Sequence, residues 1–369
     1  MADVFVDAGD ASRCDVACMK RRAFMGSLAA CPAIAAVPSK SEGAAARAIA
    51  EAFLRERGIG GMSIAYGRDG VVEFEAGYGF ADAGGKEAVT PEHRFRIASI
   101  SKPVTATAVM MEVEQGRLKL NDTIWGPKGL LGGDYDGDLA AITIDHLLTH
   151  TSGGWANDKN DPMFKNGAMK HDELIAWTLA NQKLTHKPGE HFAYSNFGYC
   201  VLGRVLEKLS GQPYAEHVNE AIFAKCGITS MCIAGNTLVE RQPPEVMYLT
   251  EKPDAAYGMN VARMDSHGGW IATAGELVRF ASQLPKLLNE ESIRTMTTAM
   301  SASYARGWNV NKVPNWWHTG SLPGTTAIMV HTAKGYCWAG LLNGRKEGLG
   351  LALDKLMWRM SREMPGWKL

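Results

Sequence analysis

Apolar residues recur on one helical face between Glu42 and Arg57, where Ala45, Ile49, Ala52 and Phe53 line up opposite the charges and Gly58 supplies a stop. The period then changes. From Gly60 to Gly79 two β-rich runs flank Arg68-Asp69-Gly70, and Asp-Gly between such runs predicts a hairpin. Helical spacing returns at Thr105 to Gln115, Ile144 to Leu148, Asp172 to Ala180, Gly198 to Leu209 and Gly275 to Ala281, separated by loops rich in Gly, Asp and Pro. Strand character resumes at Gly307 to Val310, Trp316 to Thr319, Thr325 to Val330 and Tyr336 to Leu342. A last amphipathic helix then carries Leu349, Leu353, Leu356 and Met360. A sheet drawn from both chain ends, with helices between, predicts an α/β lobe into which a helical lobe, residues 103–280, is inserted. The cleft between two such lobes is the expected place for a site.

Composition narrows the partners. The 369 residues are enough for two lobes sharing a core, and 46% hydrophobic with 21% charged residues is a globular balance. Lys+Arg and Asp+Glu are both 39, so the net charge of +0 gives no electrostatic footprint for nucleic acid or an anionic membrane. A small-molecule or peptide substrate fits better. No HExxH, GxSxG or GxxxxGK[ST] pattern occurs, which argues against a zincin, an α/β-hydrolase or a P-loop enzyme. Neither a cofactor nor a metal is expected. Cys200, Cys226, Cys232 and Cys337 have no metal-site spacing. Cys226 and Cys232 are near enough to pair in an oxidising compartment, but buried thiols are the expectation. His146 and His150 have the i, i+4 spacing of a metal pair without a third ligand, so packing and capping are expected of them. The acidic loop Asp134 to Asp138 lacks the distal Glu of an EF-hand and is expected to be a solvated turn.

The first forty residues read as a leader. Lys20, Arg21 and Arg22 precede an apolar run of small residues ending near Ser39, and Met19 is a candidate true start. Arg21-Arg22 followed by Ala23, Phe24 and Met25 resembles a twin-arginine signal, which predicts export to a bacterial periplasm or beyond. Leu28-Ala29-Ala30-Cys31 also resembles a lipobox, so a lipid anchor at Cys31 is the alternative and the one membrane link foreseen.

Three short stretches carry chemistry. Ser99-Ile100-Ser101-Lys102 lies where strand-like sequence gives way to a helix, and a spacing of three puts the Ser99 hydroxyl and Lys102 amine on one face. Serine needs such a base beside it to act as a nucleophile. Further on, Tyr194 and Asn196 of Tyr194-Ser195-Asn196 follow a Pro188-Gly189 turn. The tyrosine can shuttle a proton, and the asparagine offers donor and acceptor to a substrate amide. Last, His318-Thr319-Gly320-Ser321 sits on a strand. There Gly320 permits close backbone approach, and the Ser321 N–H can join that of Ser99 as an oxyanion hole. Trp308 is expected to be buried, Trp316 to be either pocket or core, and Arg345 to be a surface residue or a partner for a substrate carboxylate.

In this order SISK, YSN and HTG resemble the penicillin-recognising serine hydrolases, in the class C β-lactamase-like branch with its DD-peptidases, D-aminopeptidases and esterases. The stretches RIASISKPVTATAVMMEVEQGRLKLND, ITIDHLLTHTSGG, FAYSNFGYCVLGRVLEKLSG and GGWIATAGELVRFA are similar to segments of that family. The resemblance implies an antiparallel sheet flanked by the terminal helices plus an all-helical lobe, within a catalytic domain over 41–369. It also implies an acyl-enzyme on Ser99 activated by Lys102, with Tyr194 as acid/base and Asn196, His318, Thr319, Gly320 and Ser321 binding substrate. Whether Lys102 or Tyr194 takes the first proton stays open. YSN in place of SDN, without a class A glutamate, disfavours class A. His318 stands where class C β-lactamases carry lysine, which points to DD-peptidase or D-aminopeptidase action ahead of β-lactam hydrolysis, with an acid-bearing peptide suited to a cationic His318. A carboxylesterase and a non-catalytic scaffold of this fold are the alternatives.

Overall fold

A computed structural model describes residues 40–301 and 303–368; the leader expectations for residues 1–39, Met19 and Cys31 among them, lie outside the described residues. Helix α1 (Lys40–Arg57) leads into the hairpin β1 (Gly61–Arg68) and β2 (Val71–Gly79). Its Asp69 and Gly70 both take positive φ, 55° and 84°, the conformation a two-residue hairpin turn needs. Strand β3 (Phe95–Arg96), a 3-10 turn at Ala98–Ile100 and helix α2 (Ser101–Glu114) follow. Helices α3 (Gly137–Ala140), α4 (Ile144–Leu148), α5 (His171–Asn181), α6 (Asn196–Ser210) and α7 (Tyr214–Val218) make up the helical segment. The chain returns through β4 (Cys232–Ile233), α8 (Asp265–Gly268), β5 (Trp270–Ala272), α9 (Ala274–Leu287) and α10 (Glu290–Thr297). It closes with β6 (Asn309–Val310), β7 (Trp316–Leu322), β8 (Thr325–His331), β9 (Cys337–Leu342) and α11 (Leu349–Ser361).

The main sheet is antiparallel with strand order β2-β1-β9-β8-β7-β6, so both chain ends build it. Strands β1, β8 and β9 are buried almost throughout, because both faces are covered. Met62, Ile64, Tyr66, Ile328, Val330 and Trp338 pack with Leu353, Met357 and other residues of α1 and α11. Their alternate neighbours Ala65, Ala327, Met329 and Ala339 join the cluster beneath α9 and the helices. Helix α9 lies on the sheet, and the inserted segment also contributes β4 and β5, which form a second small sheet in the order β3-β5-β4.

At the sheet edge, β6 pairs only with Trp316 and Trp317. The outer edge of β7 from His318 onward therefore meets the 3-10 turn carrying Ser99 instead of another strand.

Candidate active site

Ser99 sits on the 3-10 turn between β3 and α2, and the chain leading to it is fastened at each step. The Ile97 N–H donates to the Trp270 carbonyl at 3.0 Å, and the Thr325 hydroxyl donates to the Arg96 carbonyl at 2.9 Å. The buried Arg96 guanidinium lies over the Tyr248 ring, 4.5 Å from its centroid, and donates to the carbonyls of Gly235 and Ala256. Ala98 is forced to φ +48°, a left-handed conformation costly for a residue with a side chain, immediately before Ser99. Gly320 on β7 explains the crowding. A Cβ at that position would collide with the Ile97 carbonyl oxygen, so only glycine lets the strand approach.

Lys102, on the first turn of α2, is fully buried and donates to Ser99 Oγ at 3.2 Å, Asn196 Oδ1 at 2.7 Å and the His267 carbonyl at 3.0 Å. Burial drives its amine down to about 7, against the pull of the Asp161 carboxylate, which raises it. A lysine poised there can accept a proton at neutral pH.

Tyr194 is half-buried in the loop before α6, with the Lys102 ammonium 4.7 Å from its ring centroid. His150 at φ +60° holds that loop on both sides: its carbonyl accepts from the Ala193 N–H at 2.8 Å and its Nδ1 from the Ser195 N–H at 3.1 Å. Ser195 in turn caps α6 by accepting from the Gly198 N–H at 3.1 Å. Burial raises the Tyr194 phenol above its ordinary value, and a hydrogen bond with the Ser99 hydroxyl works in the other direction. The tyrosine is therefore a neutral phenol at neutral pH.

Asn196 is turned inward. Its carbonyl serves Lys102 and its Nδ2 donates to Asp161 Oδ2 at 2.7 Å, so the acceptor expected for a substrate amide is already engaged. His318 differs from expectation more sharply. It is 2% exposed, with Nδ1 donating to the Thr319 carbonyl at 2.7 Å and Nε2 accepting from the Tyr304 hydroxyl at 3.2 Å. Burial, helped by the nearby Lys102 charge, drives it down to about 3. His318 is a neutral imidazole, and the cationic His318 anticipated for an acidic substrate is replaced by a hydrogen-bonded ring.

These groups open onto a cleft of about 650 Å³ whose walls include Ser99, Tyr194, His318, Thr319 and Ser321. Thr319 and Ser321 are exposed along β7, and Ser99 and Ser321 lie on the two backbones that Gly320 brings together. Arg345 is the exposed basic side chain among the described cleft walls. Phe192 and Tyr304 supply the aromatic surface. Trp308 and Trp316 instead pack edge to face at 5.5 Å within the core, and Trp316 stacks on His331 at 4.0 Å. His146 forms a capping box with Thr143, while Cys226 and Cys232 are separate free thiols. Asp161, Tyr304 and the His267 carbonyl are contributors that sequence reasoning missed. Asp161 stands in a loop with nothing local to set it apart from Asp158, and Tyr304 meets His318 only through the fold.

The Beta-lactamase family model matches residues 46–358. The chain is 24% identical over 298 residues to protein flp of Staphylococcus aureus (strain MRSA252), an alignment covering 78% of this chain and 60% of that relative's length. It superimposes with a TM-score of 0.74 on the D-amino acid amidase from Ochrobactrum anthropi SV3 complexed with L-phenylalanine amide, at 21% identity, covering 88% of this chain and 98% of the other. The octameric penicillin-binding protein homologue from Pyrococcus abyssi gives 0.71 at 24% identity, covering 88% and 79%. These two likenesses carry the fold. The matched span takes in the Ser99 turn, the Tyr194 loop and strand β7, and the chain belongs to the Beta-lactamase family of serine hydrolases.

Proposed function

We propose that this chain cleaves small amides or esters through an acyl-enzyme on Ser99, with D-amino-acid amides and peptides as its first substrate class. The observation that carries the reading is the buried Lys102 amine, 3.2 Å from Ser99 Oγ and lowered to about 7. Neutral Lys102 takes the Ser99 proton as Oγ attacks the substrate carbonyl, and the oxyanion is received by the N–H groups of Ser99 and Ser321. Tyr194, a neutral phenol beside Ser99, gives its proton to the leaving group and regains one from Lys102. Water then attacks the acyl carbonyl and gives its proton through Tyr194 to Lys102, and Lys102 returns a proton to Ser99 Oγ as the acyl C–Oγ bond breaks and the acid is released. Intact-protein mass after a fluorophosphonate, and separately after penicillin, tests this. An adduct on wild type and none on Ser99→Ala supports the reading; no adduct on wild type overturns it and favours a non-catalytic scaffold.

A carboxylesterase is the second reading, favoured by the neutral His318 and the aromatic surface of Phe192 and Tyr304, none of which requires an acidic substrate. Relative rates on p-nitrophenyl butyrate, D-phenylalanine amide and D-Ala-D-Ala peptides separate the two. Fast β-lactam turnover fits least, since a neutral imidazole is a poor carboxylate partner. Export by the segment 19–39 is part of the proposal. Cell fractionation, with and without Arg21→Lys and Arg22→Lys, tests it, and palmitate labelling lost in Cys31→Ala would establish the lipid anchor instead.

A further inference from the structure

Behind Lys102 lies a carboxylate that the SxxK, YxN and HTG motifs do not include. Asp161 is 1% exposed, and its Oδ1 accepts from the Met163 N–H at 2.9 Å while Oδ2 accepts from Asn196 Nδ2 at 2.7 Å. The far end of the same amide, Asn196 Oδ1, accepts from Lys102 Nζ at 2.7 Å. A carboxylate only accepts and an ammonium only donates, so a single orientation of the Asn196 amide satisfies both partners.

The loop holding Asp161 is itself fixed. The buried Arg263 guanidinium donates to the carbonyls of Met163 at 3.0 Å, Lys165 at 3.2 Å, Asn166 at 2.8 Å and Met169 at 2.6 Å. Four residues beyond Arg263, the His267 carbonyl accepts from Lys102. One short segment thus anchors both the Asp161 loop and the lysine.

We propose that Asp161 is a positioning residue for the reaction: it locks the Asn196 amide with its carbonyl toward Lys102, and so holds a buried carboxylate one amide away from that lysine. Around Lys102 the other titratable groups are Tyr194 and Tyr199, whose rings it faces at 4.7 and 5.7 Å, and His150, His267 and His318. Burial lowers all three histidines and raises both tyrosines, so all five are neutral at neutral pH. Asp161 is left as the group raising Lys102 against desolvation. Burial raises the Asp161 carboxyl and Asp158, a second acid, adds to this, while the hydrogen bonds from Asn196 and Met163 and the Lys102 charge act to lower it.

The inference rests on Lys102 activating Ser99. The experiment measures the fluorophosphonate labelling rate of the full chain against pH for wild type, Asp161→Asn and Asp161→Ala, with thermal melts of each. Asp161→Asn keeps an oxygen for Asn196 but removes the charge, so the acidic limb near pH 7 moves to lower pH by roughly half a unit or more. Asp161→Ala frees the amide to turn and slows labelling by about tenfold or more at every pH, beyond what Asp161→Asn loses. A folded Asp161→Asn with an unmoved limb overturns the proposal, as does an Asp161→Ala that labels like wild type. A wild type that shows no limb near pH 7, or no labelling, overturns the role of Lys102 instead.

Discussion

Gly320 and Ile97 are in backbone contact: strand β7 passes the carbonyl oxygen of Ile97 so closely that a Cβ would have no place. The contact sets the spacing between the two backbones that bear Ser99 and Ser321, and hence between the N–H groups available to an oxyanion. It also falls beside Ala98, the residue at φ +48°, so the crowding and the strained turn belong to one arrangement.

Gly320→Ala is accordingly expected to damage both stability and acylation. The obstructing atom is a backbone oxygen, which cannot swing aside, and overpacking of this kind costs about 1–3 kcal/mol. Thermal melting should register that loss. Fluorophosphonate labelling of the folded fraction should fall by roughly 10²-fold or more, because the oxyanion donors are displaced along with the strand.

Lys102 predicts the direction of the pH profile. Below about 7 the amine carries a proton and cannot accept the one on Ser99, so the labelling rate should rise with pH through that value and level off above it. Lys102→Met should lose roughly 10²–10⁴-fold and show no limb near neutrality. A wild-type profile flat from pH 5 to 9 would exclude the lysine as the base.

Arg345 predicts selectivity. With His318 neutral and hydrogen-bonded to Tyr304, a carboxylate entering the cleft has the exposed Arg345 to meet. Arg345→Ala should therefore raise KM for carboxylate-bearing peptides by roughly three- to tenfold while leaving p-nitrophenyl butyrate hydrolysis unchanged, as befits an exposed charge pair. Equal losses on both substrates would mean that the arginine acts on the fold of the cleft mouth.

The three motifs were legible because each is local: one helical turn joins Ser99 to Lys102, Tyr194 and Asn196 flank the cap of α6, and His318 to Ser321 follow one another on β7. Paired partners far apart in sequence were not. His318 reads as a candidate cation until Tyr304 and the Thr319 carbonyl occupy both its nitrogens, and burial of the ring is a property of the assembled sheet edge. The start of α2 was marked by the Ser99-to-Lys102 spacing and not by periodicity: Ser101 to Glu112 is buried on every side, so no amphipathic stripe shows where the helix begins. Strands β3, β4 and β5, two or three residues each, are too short to display a period of two. The hairpin, β8, β9 and the terminal helices, long enough for their apolar runs or stripes to stand out, were placed to within a few residues, while β7 runs on from the expected Thr319 to Leu322.

Asp265 predicts acid sensitivity. Its burial raises the carboxyl, but His171 and Arg204, at 3.5 and 2.6 Å, overcome this and hold it down to about 2. A carboxyl lowered below its unfolded value of about 3.9 adds stability above that pH, and the contribution is lost as pH falls toward 2. Asp265→Asn leaves the buried Arg204 with Glu207 alone and should cost about 3 kcal/mol at pH 7. Urea melts at pH 6 and pH 3 should show a smaller difference between the two pH values in the variant than in wild type.

His150 separates positioning from proton transfer. Its ring lies 4.3 Å from that of Tyr194, and its carbonyl and Nδ1 grip the backbone on either side of the tyrosine. Burial lowers the ring well below the ordinary histidine range, so it is neutral near pH 7 and adds no limb of its own there. His150→Ala should then reduce kcat with little change in KM, because Tyr194 loses its fixed aim while the cleft keeps its walls. Asparagine tolerates positive φ and supplies an oxygen to the Ser195 N–H, so His150→Asn should recover part of the loss. In both variants the limb near pH 7 should stay in place, since Lys102 still sets it. A limb displaced in His150→Ala but restored in His150→Asn would show instead that the loop positions Lys102 as well as Tyr194.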